Sequence, residues 1–176
     1  MKAGELRPLF TPEEIQRRVR EIAADVDALY GDEPLVVVCV LKGGFMFFSD
    51  LVRHLRGRQV EVDFVRLSSY GQGTSSSGHI AFTKDVEISL QDKHVLVVED
   101  LVDSGLSMQF LLSTLAQRGA KSLRLAILLD KHERRRVEVR ADFIGFHLQG
   151  GFIVGYGIDC AERYRNLPGI YELVAE

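Results

Sequence analysis

The apolar run Val95-Leu96-Val97-Val98 leads straight into Glu99-Asp100-Leu101-Val102 and then Asp103-Ser104-Gly105-Leu106-Ser107. A β-branched strand thus delivers two adjacent carboxylates to its carboxyl end, and a short polar turn then opens a helix. Backbone N–H groups at such a helix start lack intrahelical partners. With the hydroxyls of Ser104 and Ser107 they can cradle a single phosphate. A Walker loop would need more glycines and a lysine, which this turn lacks. Carboxylates beside a phosphate repel it unless they accept bonds from a ribose diol or face a divalent cation. The plainer alternative is that Asp103 caps the helix while Glu99 and Asp100 are solvated strand-end acids.

The elements that must hold this segment are readable along the chain. Thr11-Pro12-Glu13-Glu14 carries a capping box with proline at the first helical position. Ile15, Val19, Ile22, Val26 and Leu29 then recur at helical spacing up to Gly31. Leu35–Leu41 reads as a strand buried on both faces and is broken by Gly43-Gly44, after which Phe45–Leu55 is helix-compatible. Further strands are predicted at Val60–Leu67, His94–Val98, Leu123–Leu129, Phe143–Phe146, Phe152–Tyr156 and Tyr171–Val174, with a helix over Gly105–Arg118. Alternating strands and helices predict an α/β fold: a mostly parallel twisted sheet flanked by helices, in one domain spanning residues 1–176. Ligands of such sheets gather at the carboxyl ends of the strands.

Composition narrows the function class. With 46% hydrophobic and 27% charged residues the 176-residue chain can bury a core, which excludes a disordered tail or a disulfide scaffold. A net charge of −3 offers no basic field for nucleic acid. The longest apolar run, Leu35–Leu41, is far short of the roughly 20 residues that span a bilayer. The expectation is a cytoplasmic protein without nucleic-acid or membrane partners. Cys39 lies in an apolar run, where a buried thiol is expected rather than a bridge. His54, His79, His94, His132 and His147 show no paired metal-ligand spacing and read as structural or surface residues.

The acidic segment resembles the phosphoribosyl-pyrophosphate (PRPP) binding motif of type I phosphoribosyltransferases. From about Pro34 to Asn166 the chain is similar to the hypoxanthine-guanine phosphoribosyltransferases, particularly the short bacterial ones. The resemblance is also carried by Val40-Leu41-Lys42-Gly43-Gly44, Ser68-Ser69-Tyr70-Gly71, Leu129-Asp130-Lys131 and the run from Phe152 to Asp159, in the family's order. It implies purine salvage: transfer of the 5-phosphoribosyl group from PRPP to a 6-oxopurine, hypoxanthine or guanine, giving IMP or GMP and pyrophosphate, with Mg²⁺ as cofactor. It also implies a small hood formed by the N-terminal segment and residues from about 147 to 176.

By the same resemblance, Asp103, Ser104, Gly105, Leu106 and Ser107 hold the 5′-phosphate, and Glu99 with Asp100 addresses the ribose and a metal ion. Asp103 matches the general acid/base. Lys131 matches the residue bonding the 6-oxo group, Phe152 the ring that stacks on the base, and Ile153 a backbone contact to the purine edge. Lys42, Gly43 and Arg165 match the pyrophosphate contacts, and Asp159 matches the acid that binds a second Mg²⁺ carried by pyrophosphate. A cis peptide is implied at Lys42–Gly43. The arginines 134, 135 and 136 read as a solvated charge run, and Gln149-Gly150-Gly151 stands where many relatives carry Pro-Asp. Relatives form dimers or tetramers, and Phe45-Met46-Phe47-Phe48 offers more apolar surface than one helix face buries, so at least a homodimer is expected. A nucleotide-sensing regulator on the same fold is the competing reading, opposed by the acidic charge and the complete motif set.

Residues 68–85, with Ser69-Tyr70 matching a lid signature, are expected to close over the site and exclude water. Amide exchange at Tyr70 should slow sharply when PRPP and an unreactive base analogue are both bound. Identical exchange with and without ligands would leave a plain surface loop.

Overall fold

A computed structural model describes residues 5–57, 59–70 and 79–174 of the chain. The first helix follows its sequence signals. In α1 (Pro12–Tyr30), Thr11 Oγ1 accepts from the Glu14 amide and the Glu14 carboxylate accepts from the Thr11 amide. Ile15, Val19, Ile22 and Val26 are buried as expected, but Leu29 is exposed and Tyr30 takes the last inward position. Both residues satisfy helical spacing from Val26, by three and by four, and the helix phase selects the latter.

The central sheet has six strands in the order β4 (His79–Lys84), β3 (Val60–Tyr70), β2 (Leu35–Leu41), β5 (His94–Val102), β6 (Ser122–Lys131) and β7 (Phe143–Leu148). All neighbours are parallel except β3 and β4. Along β2, Val37 and Cys39 face one layer, with α1 and α2 (Phe45–His54), while Val36, Val38 and Val40 face the other, with α3 (Leu106–Ala116). The β-branched run is therefore buried on both faces, as a central parallel strand requires. Helix α2 buries Phe47, Phe48 and Leu51 within the chain and leaves Phe45 exposed.

The chain ends form a second, three-stranded sheet in the order β1 (Glu5–Phe10), β9 (Ile170–Val174) and β8 (Ile153–Val154). It stands over the carboxyl ends of the main strands and packs into the same core through Ile153, Tyr156 and Ile170. Two strands are additional to those predicted. β1 contains Pro8 and pairs with β9, nearly the whole chain length away. β4 pairs with the outer end of β3, which runs three residues beyond its predicted end. Of the expected lid, residues 68–70 and 79–84 are thus antiparallel strand, and residues 71–78 lie outside the described residues.

The alternation in β3 is shifted from its hydrophobic pattern: Val62 is exposed while Asp63 and Val65 are buried. The Asp63 carboxylate accepts from the amides of Phe64 at 2.7 Å, Glu87 at 2.6 Å and Ile88 at 2.9 Å, and lies 3.6 Å from Lys84 Nζ. Burial pushes its pKa up, but the three amides and Lys84 outweigh this and hold it below the ordinary carboxylate value. A group whose pKa is depressed on folding stabilises above its unfolded pKa and loses that contribution as the pH falls through the folded one. Asp63→Asn should therefore cost about 1.5–3 kcal/mol near neutral pH. In urea unfolding the gap to wild type should narrow as the pH drops below ~4; a gap that stays constant with pH would contradict the assignment.

Candidate active site

β5 does not stop before its acids. It stays paired with β6 through Glu99–Ile127, Leu101–Leu129 and Val102–Asp130, so the two carboxylates are carried on rigid strand. The turn that follows places Gly105 at the N-cap of α3 with φ 83° and no side-chain cap. A Cβ there would stand 2.6 Å from the Val137 carbonyl oxygen, so only glycine brings the turn this close to the neighbouring loop. The first turn of α3 thus presents amides, that of Leu106 3.5 Å from Ser104 Oγ, to a cavity of about 200 Å³ lined by Glu99, Asp103, Ser104, Gly105 and Ser107 among others. The capping role considered for Asp103 is overturned by this geometry.

Glu99 and Asp100 pair with no cationic side chain among the described residues; the Asp100 amide bonds Glu99 Oε1 at 3.1 Å. Burial first, and the Asp100 charge second, push the Glu99 pKa well above its ordinary value. Two adjacent carboxylates with this environment fit a hard divalent cation. The loop after β2 lies against Asp100: a Cβ on Gly43 would stand 1.9 Å from Asp100 Oδ2. The cis peptide in this loop is at Leu41–Lys42, one bond before the expected position.

A second cavity, of about 400 Å³, is lined by Leu101, Asp103, Lys131, Glu133, Arg134, Phe152, Ile153 and Asp159 among others. Lys131 is buried at the end of β6, its Nζ 3.4 Å from Asp103 Oδ2 and 3.6 Å from Glu133. Asp103 Oδ1 is buried without a hydrogen-bond partner among the described residues. Phe152 is 53% exposed at the wall, where a core residue would not be, and Ile153 behind it is buried. The Gly150-Gly151 entry brings the backbone against Glu133, whose carboxylate accepts from the Gly151 amide.

Asp159 is held within the hood loop. Its carboxylate bonds Arg165 at 2.7 Å and the Glu162 amide at 2.8 Å. Arg165 and Lys42, the two cations expected to receive pyrophosphate, both hold Glu162, at 3.2 Å and 3.0 Å. Lys42 first and Arg165 second hold the Glu162 pKa below its ordinary value. The hood loop touches the β2 loop directly, since a Cβ on Gly157 (φ 97°) would meet the Gly43 carbonyl oxygen at 2.2 Å. Ser69 and Tyr70 lie at the end of β3, on the hairpin with β4.

Three residues here were not singled out from sequence. Arg135 is no solvated charge. Its guanidinium bonds the Val102, Asp103 and Lys131 carbonyls and the Asp130 carboxylate, tying the phosphate turn to the end of β6. Nothing in an Arg-Arg-Arg run marks which member turns inward. Tyr156 Oη donates to Asp50 at 2.6 Å, anchoring the hood loop to α2; burial first, then Asp50, raise its pKa. Glu162 is the third, and its spacing of three from Arg165 was the available signal.

The phosphoribosyl transferase domain family matches residues 9–160. The chain is 42% identical over 170 residues to a hypoxanthine-guanine phosphoribosyltransferase of Bacillus subtilis, covering 97% of this chain and 94% of that one. It is 44% identical to the protein of the same name from Aquifex aeolicus, covering 97% and 96%. A crystal structure of a hypoxanthine-guanine phosphoribosyltransferase from Bacillus anthracis superposes with a TM-score of 0.91 at 43% identity, covering 97% and 100%.

Glu162 is an anion on two cations, so a pyrophosphate entering there must displace it. Exposed ion pairs are individually worth about 0–1 kcal/mol. Glu162→Gln should accordingly tighten inorganic pyrophosphate binding in calorimetry by about two- to fivefold. Weaker binding would show instead that the carboxylate helps to build the site.

Proposed function

The chain belongs to the hypoxanthine-guanine phosphoribosyltransferase family, and from that membership and its site we propose how it performs purine salvage. The reaction joins a 6-oxopurine to the phosphoribosyl group of PRPP and releases pyrophosphate. One observation carries the assignment of parts: the phosphate-sized cavity and the larger apolar-walled cavity share Leu101 and Asp103. A ribose bridging the two would have its 5′-phosphate on the α3 amides and its reacting carbon beside Asp103.

The amides of the turn from Asp103 to Ser107 bind the phosphate without side-chain charge, aided by the helix dipole. Lys131 offers Nζ to the 6-oxo group, and Phe152 offers its ring face to the purine. Ile153, directly after Phe152, brings backbone groups to the purine edge. Asp103 Oδ1, buried and unpartnered, is placed to take the proton that the base loses when its nitrogen forms the new bond. Lys42, Gly43 and Arg165 receive the departing pyrophosphate. Glu99 and Asp100 fit Mg²⁺, which when bound offsets charge on the ribose and pyrophosphate oxygens. Asp159 would exchange Arg165 for a second ion. Residues 68–85 act as the lid, and the working enzyme is a cytoplasmic homodimer or homotetramer.

Purified protein with Mg²⁺, PRPP and hypoxanthine, guanine or xanthine in turn should form nucleotide with the first two. No turnover with any purine would contradict the reading. Asp103→Asn, which preserves shape and removes the proton acceptor, should lower kcat by about 10²–10⁴-fold while leaving PRPP affinity near wild type. An unchanged kcat would remove Asp103 from the chemistry.

A further inference from the structure

We propose that Asp130, His132 and His147 form a binding site for a divalent transition-metal ion of zinc-like chemistry, separate from the acid pair Glu99–Asp100. The fold assembles it from two strand ends. Asp130 and His147 are register partners on parallel β6 and β7. His132 follows Asp130 by two residues, and its amide bonds the Leu148 carbonyl at 3.3 Å, which keeps it alongside β7. Successive side chains of an extended segment alternate in direction. Lys131 and Glu133 line the base cavity, while Asp130 and His132 are not among its lining.

The donor geometry suits an ion. His132 Nε2 lies 3.1 Å and His147 Nδ1 lies 3.4 Å from Asp130 Oδ2. All three donor atoms fall within 4.8 Å of one another. Bonds of about 2.0–2.1 Å in a tetrahedron hold donors roughly 3.3–3.4 Å apart. The two imidazole rings are nearly parallel, 22° between planes with centroids 6.0 Å apart, and both direct a nitrogen at the same carboxylate oxygen. The carboxylate itself is fixed: Asp130 is buried, and its other oxygen accepts from Arg135. Ligating carboxylates are commonly held by an outer hydrogen bond in this way.

The ligand chemistry selects the ion. Two neutral imidazoles and one carboxylate suit Zn²⁺, Ni²⁺ or Cu²⁺, whereas Mg²⁺ and Ca²⁺ prefer an all-oxygen set. Arg135 offsets the charge of Asp130, so attraction rests on the imidazole nitrogens rather than on net negative charge. His132 and His147 are both exposed, which leaves the remaining coordination position to water and the ion a direct entry. An ion held here would join β6 to β7 beside Lys131. Spacing along the chain gives no sign of it, because residues 130 and 147 meet only through strand pairing.

The test uses untagged protein titrated with Zn²⁺ alone in saturating Mg²⁺, followed by calorimetry and thermal melts. One Zn²⁺ should bind per chain and raise Tm. His132→Asn and His147→Asn, both surface changes, should each weaken binding by about 10–100-fold, while Glu99→Gln and Cys160→Ser leave it at the wild-type value. No binding to wild type, binding unchanged in both histidine variants, or binding lost with Glu99→Gln or Cys160→Ser would each overturn the proposal.

Discussion

Two neighbouring carboxylates on one partly buried strand end, one of them, Asp100, against the bare backbone of Gly43, are the constraint from which the site follows. Glu99 and Asp100 cannot both be charged without cost in that environment, and burial already pushes the Glu99 pKa up. No lysine or arginine among the described residues relieves the repulsion. The arrangement is tolerable for a protein whose ligand brings its own cation and hydroxyls. The pairing of β5 with β6 as far as Val102 carries both carboxylates on the sheet.

The remaining parts converge on that strand end from three directions. The β2 loop reaches it because Gly43 carries no Cβ, and the hood loop rests on the Gly43 carbonyl because Gly157 carries none. Tyr156, bonded to Asp50, holds the hood loop down on α2. From the far side, Arg135 binds three carbonyls and Asp130, so the phosphate turn and the Lys131 strand end move as one piece. The groups proposed to bind phosphate, base and pyrophosphate are thereby positioned relative to one another by close backbone approach and side-chain hydrogen bonds, which is the precision that catalysis by orientation demands.

Sequence alone carried the local part of this account. The α1 capping box, the double-faced β2 run and the strand leading into Glu99 are short-range patterns, and each has its expected structure. Nonlocal features were hidden for physical reasons. β1 is held by β9 at the opposite end of the chain, and Pro8 weakens its strand signal. Asp63 is inward because the Glu87 and Ile88 amides of a distant segment satisfy it, a pairing that alternation cannot show. Leu29 and Tyr30 exchange places by one residue of helix phase. Arg135 differs from its neighbours only in what the fold brings to it.

The glycine backbone at position 43 brings the loop proposed to receive pyrophosphate against Asp100. Gly43→Ala tests it directly, since the new methyl would stand 1.9 Å from Asp100 Oδ2 and must displace that carboxylate. Steady-state kinetics with PRPP as the varied substrate, alongside a thermal melt of the same sample, is the measurement. The value of kcat/KM should fall by about 10²-fold while the melting transition stays close to wild type. A variant that turns over PRPP at the wild-type kcat/KM would contradict it.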